Sequence, residues 1–258
     1  MSTPTLFRCE KLETGVPGKV LCSGLDLNLG PGDRVALIGA NGSGKTTLLH
    51  TLAGLGPARS GTIELHGTAL DRWPRREAAR HLGLLFQDND GGLPTRVLET
   101  ALMGRHPHLS PWSWEGPEDT RIARDALATV GLAGMEDRDT DHLSGGERQR
   151  LAIATLITQS PQVMLLDEPA NHLDPAQQVQ ILEALDAHLG QSGACTLMSL
   201  HDVNLALRFC NRTLLLFGDG CWLEGNSADV ITEDNLARLY GHPMQRLEGP
   251  RGSAFLPG

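Results

Sequence analysis

The stretch GANGSGKTT, residues 39–47, constrains the fold more than any other part of the sequence. The apolar run Arg34 to Ile38 before it predicts a buried strand, and the residues from Lys45 to about Leu55 have the pattern of a helix. A glycine-rich turn between a strand and a helix leaves backbone N–H groups free at the positive end of the helix dipole, where phosphate binds. The sequence therefore predicts a phosphate-binding loop on an α/β core.

The loop also matches the spacing G-x-x-x-x-G-K-[ST]. We expect the N–H groups from Asn41 to Thr47 to surround a β-phosphate, Lys45 to reach the β and γ oxygens, and the Thr46 hydroxyl to bind Mg²⁺. The predicted nucleotide-binding residues of the loop are Gly39, Ala40, Asn41, Gly42, Ser43, Gly44, Lys45, Thr46 and Thr47. A loop without function is the alternative interpretation.

A second apolar run, Val163 to Leu166, predicts another buried strand and ends in two carboxylates. Asp167 at that position is expected to hold the Mg²⁺ shell, and Glu168 to polarise a water for in-line attack on a γ-phosphate. The alternative is an acidic pair that caps a helix before Pro169. The presence of Glu168 favours hydrolysis over binding alone.

The order of predicted elements indicates the architecture. Apolar runs in CTLMSLHD and RTLLLFGDG predict two more strands, and LLLFGDGCWLEG predicts a hairpin, whereas the segment between Phe86 and Pro161 has helical patterns and no convincing strand. Buried strands alternating with helices favour a mainly parallel sheet with its chemistry at the carboxyl ends of the strands. We expect a nucleotide-binding α/β core at 1–86 and 162–240, an inserted helical subdomain at 87–161, and a C-terminal tail at 241–258.

The composition of the chain limits the kinds of partner that we expect. The chain of 258 residues has 31 acidic and 22 basic residues, a net charge of −9, and no basic block, so we expect no nucleic-acid partner. The five cysteines show no ligand spacing, which indicates reduced thiols in a cytoplasm. We expect neither a signal peptide nor a membrane span, so a membrane role would need a separate partner.

The motifs taken together resemble the nucleotide-binding subunit of an ABC transporter. The likeness covers nearly the whole chain and rests on GANGSGKTT, Gln87 in LLFQD, LSGGERQR, VMLLDE, NHLD and His201 in SLHD, in this order. It implies an α/β fold, a RecA-like phosphate-loop NTPase core whose mainly parallel sheet is joined by an antiparallel β part, with an inserted α-helical subdomain. It implies ATP and Mg²⁺ as ligands and ATP hydrolysis coupled to transport.

The resemblance also assigns roles to single residues. It implies that Gln87 senses Mg²⁺ and the attacking water, that Asp174 organises the subunit interface, and that His201 contacts the γ-phosphate. The expected catalytic residues are then Glu168, His201 and Gln87, and the expected Mg²⁺ residues are Thr46, Gln87 and Asp167.

The chain departs from the family pattern at two positions. Val16, in LETGVPGKV, stands where the family commonly has an aromatic residue that stacks on adenine, and Phe7 is the substitute that we consider. Glu147 stands where the signature usually has Gln. We expect this second change to be tolerated, because backbone and Ser144 groups carry the anion contact.

The signature LSGGERQR raises the question of a second anion site. Ser144, Gly145 and Gly146 precede a predicted helix, Glu147 to Ile157, and form an anion site of their own. A helical subdomain inserted after Gln87 would separate this site from Lys45 of the same chain. We therefore expect an ATP-dependent homodimer in which each signature caps the γ-phosphate held by the other subunit.

The stretches ETALMGRHPH, PANHLD and TEDNLARLYGHPMQRLE resemble import ATPases for metal chelates: vitamin B12, haem and ferric siderophores. This implies integral membrane permease subunits, a periplasmic substrate-binding protein, and a peripheral location at the cytoplasmic face of the inner membrane. The alternatives are a soluble ABC ATPase of iron–sulfur cofactor assembly, an ABC ATPase for another cargo, and a nucleotide-dependent scaffold without turnover.

The segment HPHLSPWSWEGP is expected to form a surface connection. His106 and His108 are too few for a metal site. For Trp112 and Trp114 we expect packing within the helical subdomain, with a position bordering the permease-docking surface as the alternative hypothesis.

Overall fold

The computed structural model describes residues 4–87, 95–110, 112–171, 173–249 and 252–258. Its strands are β1 (Phe7–Val16), β2 (Lys19–Leu29), β3 (Arg34–Gly39), β4 (Ser60–Leu65), β5 (Thr68–Ala69), β6 (Leu82–Leu85), β7 (Val163–Leu166), β8 (Cys195–Ser199), β9 (Arg212–Leu216), β10 (Trp222–Asn226), β11 (Met244–Gly249) and β12 (Gly252–Pro257). Its helices are α1 (Lys45–Leu52), α2 (Arg75–His81), α3 (Val97–Leu102), α4 (Pro117–Thr129), α5 (Gly145–Gln159), α6 (Pro175–Ser192), α7 (Val203–Phe209), α8 (Ser227–Val230) and α9 (Glu233–Tyr240).

The central sheet has six strands in the order β10-β9-β3-β8-β7-β6. The pairs from β9 to β6 are parallel, and β10 joins β9 in the expected antiparallel hairpin. Along β3, Val35 and Leu37 enter one apolar core while Ala36 and Ile38 enter another. Because successive side chains of a strand point to opposite faces, this strand is apolar throughout and buried on both sides.

A second sheet, β2-β1-β4-β5, is antiparallel and accounts for the expected antiparallel part. Its inner residues, among them Leu12 and Leu25, share one core with Leu48, Leu49 and Leu52 of α1. The mixed α/β fold class expected from the sequence is confirmed. Helix α1 therefore lies between the two sheets, with its first turn at the end of β3.

The segment between β6 and β7 contains α3, α4 and α5, whose apolar faces contribute Val97, Leu127 and Ile153 to the second core. Its described residues outside these helices include an isolated bridge between Arg96 and Asp139. The described part of this segment is mainly helical. No helix of the described ranges has both the length and the apolar character needed to cross a membrane.

Several predicted bounds were wrong. Helix α1 ends at Leu52 instead of Leu55, because Gly54 has a positive φ of 68°. Helix α5 begins at Gly145, so both signature glycines lie in its first turn. The tail after residue 240 forms the hairpin β11–β12, which the sequence did not predict. Phe255 of that hairpin is buried in the core, and its backbone N–H and C=O both bond the Asn204 side chain of α7.

Candidate nucleotide-hydrolysis site

The phosphate loop connects β3 to α1 as predicted. Ala40, Asn41 and Gly42 are exposed in the turn, while Thr46 and Thr47 lie in the first turn of α1. Gly44 is the residue before the helix and has a φ of 105°, a conformation that an L side chain rarely adopts. A Cβ there would lie 2.8 Å from Cβ of Leu21 in β2. Glycine is thus required both by the backbone and by the neighbouring sheet.

Lys45 lies back across this loop. Its Nζ donates to Gly39 O at 2.8 Å and to Ala40 O at 3.5 Å, and the residue is 6% exposed. Burial lowers the pKa of the Lys45 ammonium, while the charges of Glu168 and Asp167 act in the opposite direction. An ammonium group bonds neutral carbonyl oxygens more weakly than charged phosphate oxygens. Lys45 is therefore positioned to exchange the two carbonyl oxygens for a charged ligand.

Asp167 is fully buried at the end of β7. Its Oδ1 accepts a hydrogen bond from Ser199 Oγ at 2.7 Å, and Ser199 Oγ in turn accepts from the N–H of Glu168 at 2.7 Å. Asp167 Oδ2 and Ser43 Oγ are buried atoms without a hydrogen-bond partner among the described residues. Such atoms are costly unless a ligand satisfies them. A carboxylate oxygen with a free lone pair beside a phosphate loop fits the donor set that Mg²⁺ prefers.

Glu168 is the centre of the polar cluster. Its carboxylate accepts three hydrogen bonds, from His201 Nε2 at 2.6 Å, Asn171 Nδ2 at 2.9 Å and Gln87 Nε2 at 3.1 Å. The three residues predicted to be catalytic, Glu168, His201 and Gln87, therefore meet at one carboxylate. Glu168 also has a positive φ of 51°, which costs on the order of 1–3 kcal/mol in a residue with a side chain. The surrounding network holds this strained conformation.

Sequence reasoning missed three residues of this cluster. Ser199 ends β8 and orients Asp167, and Asn171 orients Glu168. Gln149 of α5 is buried, and its amide donates to Pro169 O at 3.1 Å and to Glu168 O at 3.4 Å. Each had a signal in the sequence. Ser199 is a hydroxyl residue at the end of an apolar run, Asn171 begins NHLD, and Gln149 is the glutamine of LSGGERQR. The neighbour His172 lies outside the described residues.

The signature lies at a different place in the fold. Ser144 is exposed at the start of α5, where its Oγ accepts from Glu147 N at 3.3 Å and its N–H donates to Glu147 Oε2 at 2.7 Å. This reciprocal pair is a capping box. Hydrogen bonds from Ser144 lower the pKa of Glu147, the backbone bond most, and Arg138 lies 3.2 Å from its carboxylate. The first turn of α5 is thus capped by its own chain and open to solvent.

Asp174, expected at a subunit interface, is the exposed N-cap of α6 and accepts from Gln177 N at 2.9 Å. Its helix and the signature helix are neighbours, because a Cβ on Gly146 would lie 3.0 Å from Leu173 and 3.2 Å from Gln177. Ser144, Gly145 and Asp174 therefore belong to one exposed region.

Two structural expectations about aromatic residues were wrong. Phe7 is fully buried in β1, paired with Leu29 and Leu65, so it cannot stack on a base. Trp112 is 95% exposed and Trp114 is 89% exposed, so neither packs within the helical subdomain. Val16 is exposed at the end of β1. His106 is exposed and His108 bonds Gln159 O at 2.9 Å. Among the described residues, no group of three or more His, Cys, Asp or Glu side chains is placed to hold a metal ion.

Residues 22–171 match the profile of the family described as ABC transporter. The chain is 33% identical over 242 residues to the iron(3+)-hydroxamate import ATP-binding protein of Bacillus subtilis (strain 168), covering 94% of this chain and 90% of that protein. It is 38% identical over 234 residues to the hemin import ATP-binding protein of Myxococcus xanthus (strain DK1622), covering 88% and 86%. A solved ABC transporter described as metal-chelate type, in an inward-facing conformation, superimposes with a TM-score of 0.86 at 28% identity and covers 98% of both chains.

The phosphate loop, the fold and the profile match place the chain in the ABC transporter family. It is the ATP-binding subunit, an ATPase whose hydrolysis is coupled to transport. The expected likeness to ATPases of metal-chelate importers is confirmed by the relatives.

Proposed function

We propose that this chain powers uptake of a metal chelate, such as haem, a ferric siderophore or vitamin B12, through a separate permease. Relatives at 33% and 38% identity are named as importers of ferric hydroxamate and of hemin, and both matches span most of each chain. A periplasmic substrate-binding protein would deliver the cargo. The subunit would lie at the cytoplasmic face of the inner membrane.

The Glu168 cluster is the single observation that carries the hydrolytic part of the proposal. The Glu168 carboxylate is the base that orients a water for in-line attack on the γ-phosphate and receives its proton. His201 and Gln87 donate to this carboxylate in the present arrangement. Both would turn toward the γ-phosphate and the water when nucleotide binds, and Lys45 would exchange Gly39 O for the β and γ oxygens.

The same residues suit a magnesium ion. Mg²⁺ would be held by Asp167 Oδ2, which is buried and has no partner among the described residues, by the Thr46 hydroxyl and by the Gln87 side chain. The ion, when bound, neutralises charge on the β- and γ-phosphates. Ser199 keeps the Asp167 carboxylate turned toward that position.

We infer that the working form is a homodimer. Ser144, Gly145 and Gly146 form the start of α5, where Ser144 and Gly145 are exposed and could meet an anion from outside the chain. In a two-fold dimer this site would cap the γ-phosphate bound by Lys45 of the second copy, with Asp174 in the same interface. ATP binding would close the dimer, and hydrolysis with phosphate release would reopen it.

A groove beside the core suits a permease helix. Its volume is about 740 Å³, and its apolar lining includes the exposed side chains Leu55 and Phe86 together with Leu70 and Trp73. Phe86 directly precedes Gln87 in the chain. A segment in this groove would therefore act on the residue that contacts Glu168.

The proposal is tested in cells that lack the chromosomal copy. Wild-type chain should restore growth or uptake with one of three supplied cargoes, haem, a ferric siderophore or vitamin B12, and Glu168→Gln at equal abundance should restore none. Restoration by neither chain with any of the three would contradict the metal-chelate assignment.

Purification of the tagged wild-type chain in detergent separates the alternatives. An importer subunit should retain an integral membrane protein, and Leu55→Glu in the groove should lose it while keeping basal ATPase. An iron–sulfur assembly ATPase would leave with soluble partners instead, and a scaffold would release no phosphate.

A further inference from the structure

The loop that follows α3 presents two large aromatic side chains to solvent. A tight turn is closed by Ser113 N–H donating to Ser110 O at 3.0 Å and strengthened by Ser110 N–H donating to Ser113 Oγ at 2.8 Å. Trp112 lies in this turn and Trp114 follows it, and they are 95% and 89% exposed. Two exposed tryptophans on a turn are typical of a contact surface, because the large apolar area of the indole ring is unfavourable in water.

The loop is positioned by two arginines of α2. Arg76 Nε and Arg80 Nε both donate to Pro107 O, at 3.3 and 2.7 Å. In the part of the chain that the structure describes, neither guanidinium lies within ion-pair distance of a carboxylate. Arg76 lines a small cavity of about 430 Å³ together with His106, Leu109 and Ser113. Arg76, Glu77 and Arg80 line a neighbouring cavity, so two positive charges and one negative charge give this surface a net charge of +1 on a chain whose net charge is −9.

Helix α2 separates two surfaces. Ala78 and Ala79 line the apolar groove, whereas Arg76 and Arg80 face the tryptophan loop. The groove and the loop are therefore adjacent on opposite sides of one short helix. If the groove holds a permease segment, the tryptophan loop lies beside the permease. A role for this loop within a transporter therefore rests on the proposed function.

We propose that Trp112, Trp114, Arg76 and Arg80 form a surface that binds the headgroups of anionic phospholipids. Tryptophan is enriched at the membrane–water interface because its ring is apolar and its N–H is polar. Guanidinium groups bind phosphate and are attracted to anionic leaflets. The tryptophans project from a turn and are almost fully exposed, which suits insertion into a deformable headgroup layer. The cavity at Arg76, of about 430 Å³, has room for a phosphate group.

Vesicle flotation tests this with the purified full chain. We expect wild type to float with vesicles of phosphatidylglycerol and phosphatidylcholine in equal parts, and not with phosphatidylcholine alone. Arg76→Gln/Arg80→Gln should reduce the bound fraction at least about fivefold, because each basic residue near an anionic surface contributes about this factor. Trp112→Ser/Trp114→Ser should reduce it similarly and remove the blue shift of tryptophan emission on vesicle addition.

Matched controls are Arg121→Gln, on the exposed face of α4, and Leu256→Ser, on the exposed face of β12. Both should bind vesicles as wild type does, and all variants should keep the basal ATPase, which reports that they fold. Equal flotation of wild type with neutral and anionic vesicles, or of both double variants with wild type, would overturn the proposal.

A second measurement tests whether this surface binds a protein instead of lipid. If the tryptophan variant floats normally but loses the permease in detergent, the surface binds protein and the lipid assignment is wrong. Vesicle binding that fails while uptake and ATPase persist rejects this inference alone. Vesicle binding that persists in a chain that restores no uptake rejects the proposed function alone.

Discussion

The phosphate loop and the signature each lead into a helix, α1 and α5, but the two helix starts differ in how much their own chain encloses them. At α1, Lys45 and Ser43 are buried, and the carboxylates of Asp167 and Glu168 act on the same ammonium. At α5, Ser144 is exposed, and its nearest carboxylate, Glu147, belongs to its own capping box. The first start meets the buried residues that follow β3 and β7, whereas Gly145 at the second start is exposed. The first is therefore enclosed by its own chain, and the second is the one for which we propose completion by another copy of the chain.

The buried side chain of Gln149 links the two regions. Gln149 lies on α5 in the turn after Glu147, and its amide bonds the backbone carbonyls of Glu168 and Pro169. An anion that moves the start of α5 would therefore act on the segment that holds Glu168 at a positive φ. We therefore expect each helix start to contact an anion through its own residues, and we expect a movement of α5 to shift Glu168.

The largest effect is expected from Glu168→Gln. Loss of the base should lower the ATPase rate by about 100-fold to 10,000-fold, since general base catalysis contributes this much. ATP binding should be retained, because an amide keeps the oxygen that accepts from Asn171 or His201. Phosphate release and nucleotide binding measure the two effects. Glu183→Gln, a surface carboxylate paired with Arg208, should change neither, and a fall in its rate would indicate a nonspecific cause.

The second prediction concerns the exposed start of α5. In the Glu168→Gln background ATP should produce a dimer on gel filtration, and Ser144→Arg should abolish it. A coupling of about 1–3 kcal/mol for each of two nucleotides shifts the association constant by tens to tens of thousands of fold. Ser144→Thr keeps the cap and should keep the dimer. A monomer of Glu168→Gln in saturating ATP would contradict the composite site.

The link itself is tested by Gln149→Leu. Two buried carbonyls lose their donor, which costs about 1–3 kcal/mol, and Glu168 loses part of its support. We expect the turnover rate to fall by about tenfold, the equivalent of 1.4 kcal/mol, with nucleotide affinity within twofold of wild type. Gln191→Leu, exposed near the end of α6, is the matched control. Equal turnover in both variants would show that α5 and Glu168 are not coupled through this amide.

The smallest effect is expected from Glu147→Gln, which removes a negative charge from the open anion site. Charge at a helix start contributes about 0.3–1 kcal/mol, so ATP-driven dimerisation in the Glu168→Gln background should strengthen by about two- to fivefold for each of the two sites. Sedimentation measures the change. Weaker dimerisation would mean that Glu147 assists the contact instead of opposing it.

The same substitution has a pH signature. The folded chain lowers the pKa of Glu147, so the carboxylate contributes stability that is present above the unfolded pKa. That stability is lost as the pH falls through the lowered folded pKa. Thermal unfolding of wild type and Glu147→Gln should therefore differ at neutral pH and converge in acid. A difference that grows in acid would contradict the capping interaction.

Much of the fold was predictable because its signals are local. The phosphate loop is built from nine contiguous residues, so strand, turn and helix could be recognised together. The buried strands β3, β7, β8 and β9 appeared as apolar runs for the same reason. The hairpin β11–β12 was missed because its strands are largely exposed and show no clear alternation.

The sequence by itself determined the phosphate loop, the acidic pair after β7 and the family, because each is encoded by neighbouring residues. Only the tertiary structure decided that Ser199, Asn171 and Gln149 surround Asp167 and Glu168, since these contacts depend on β8 pairing with β7 and on α5 packing beside them. It also decided that Phe7 is buried and that Trp112 and Trp114 face solvent. A side chain's environment is set by the elements packed around it, which no short stretch of sequence contains.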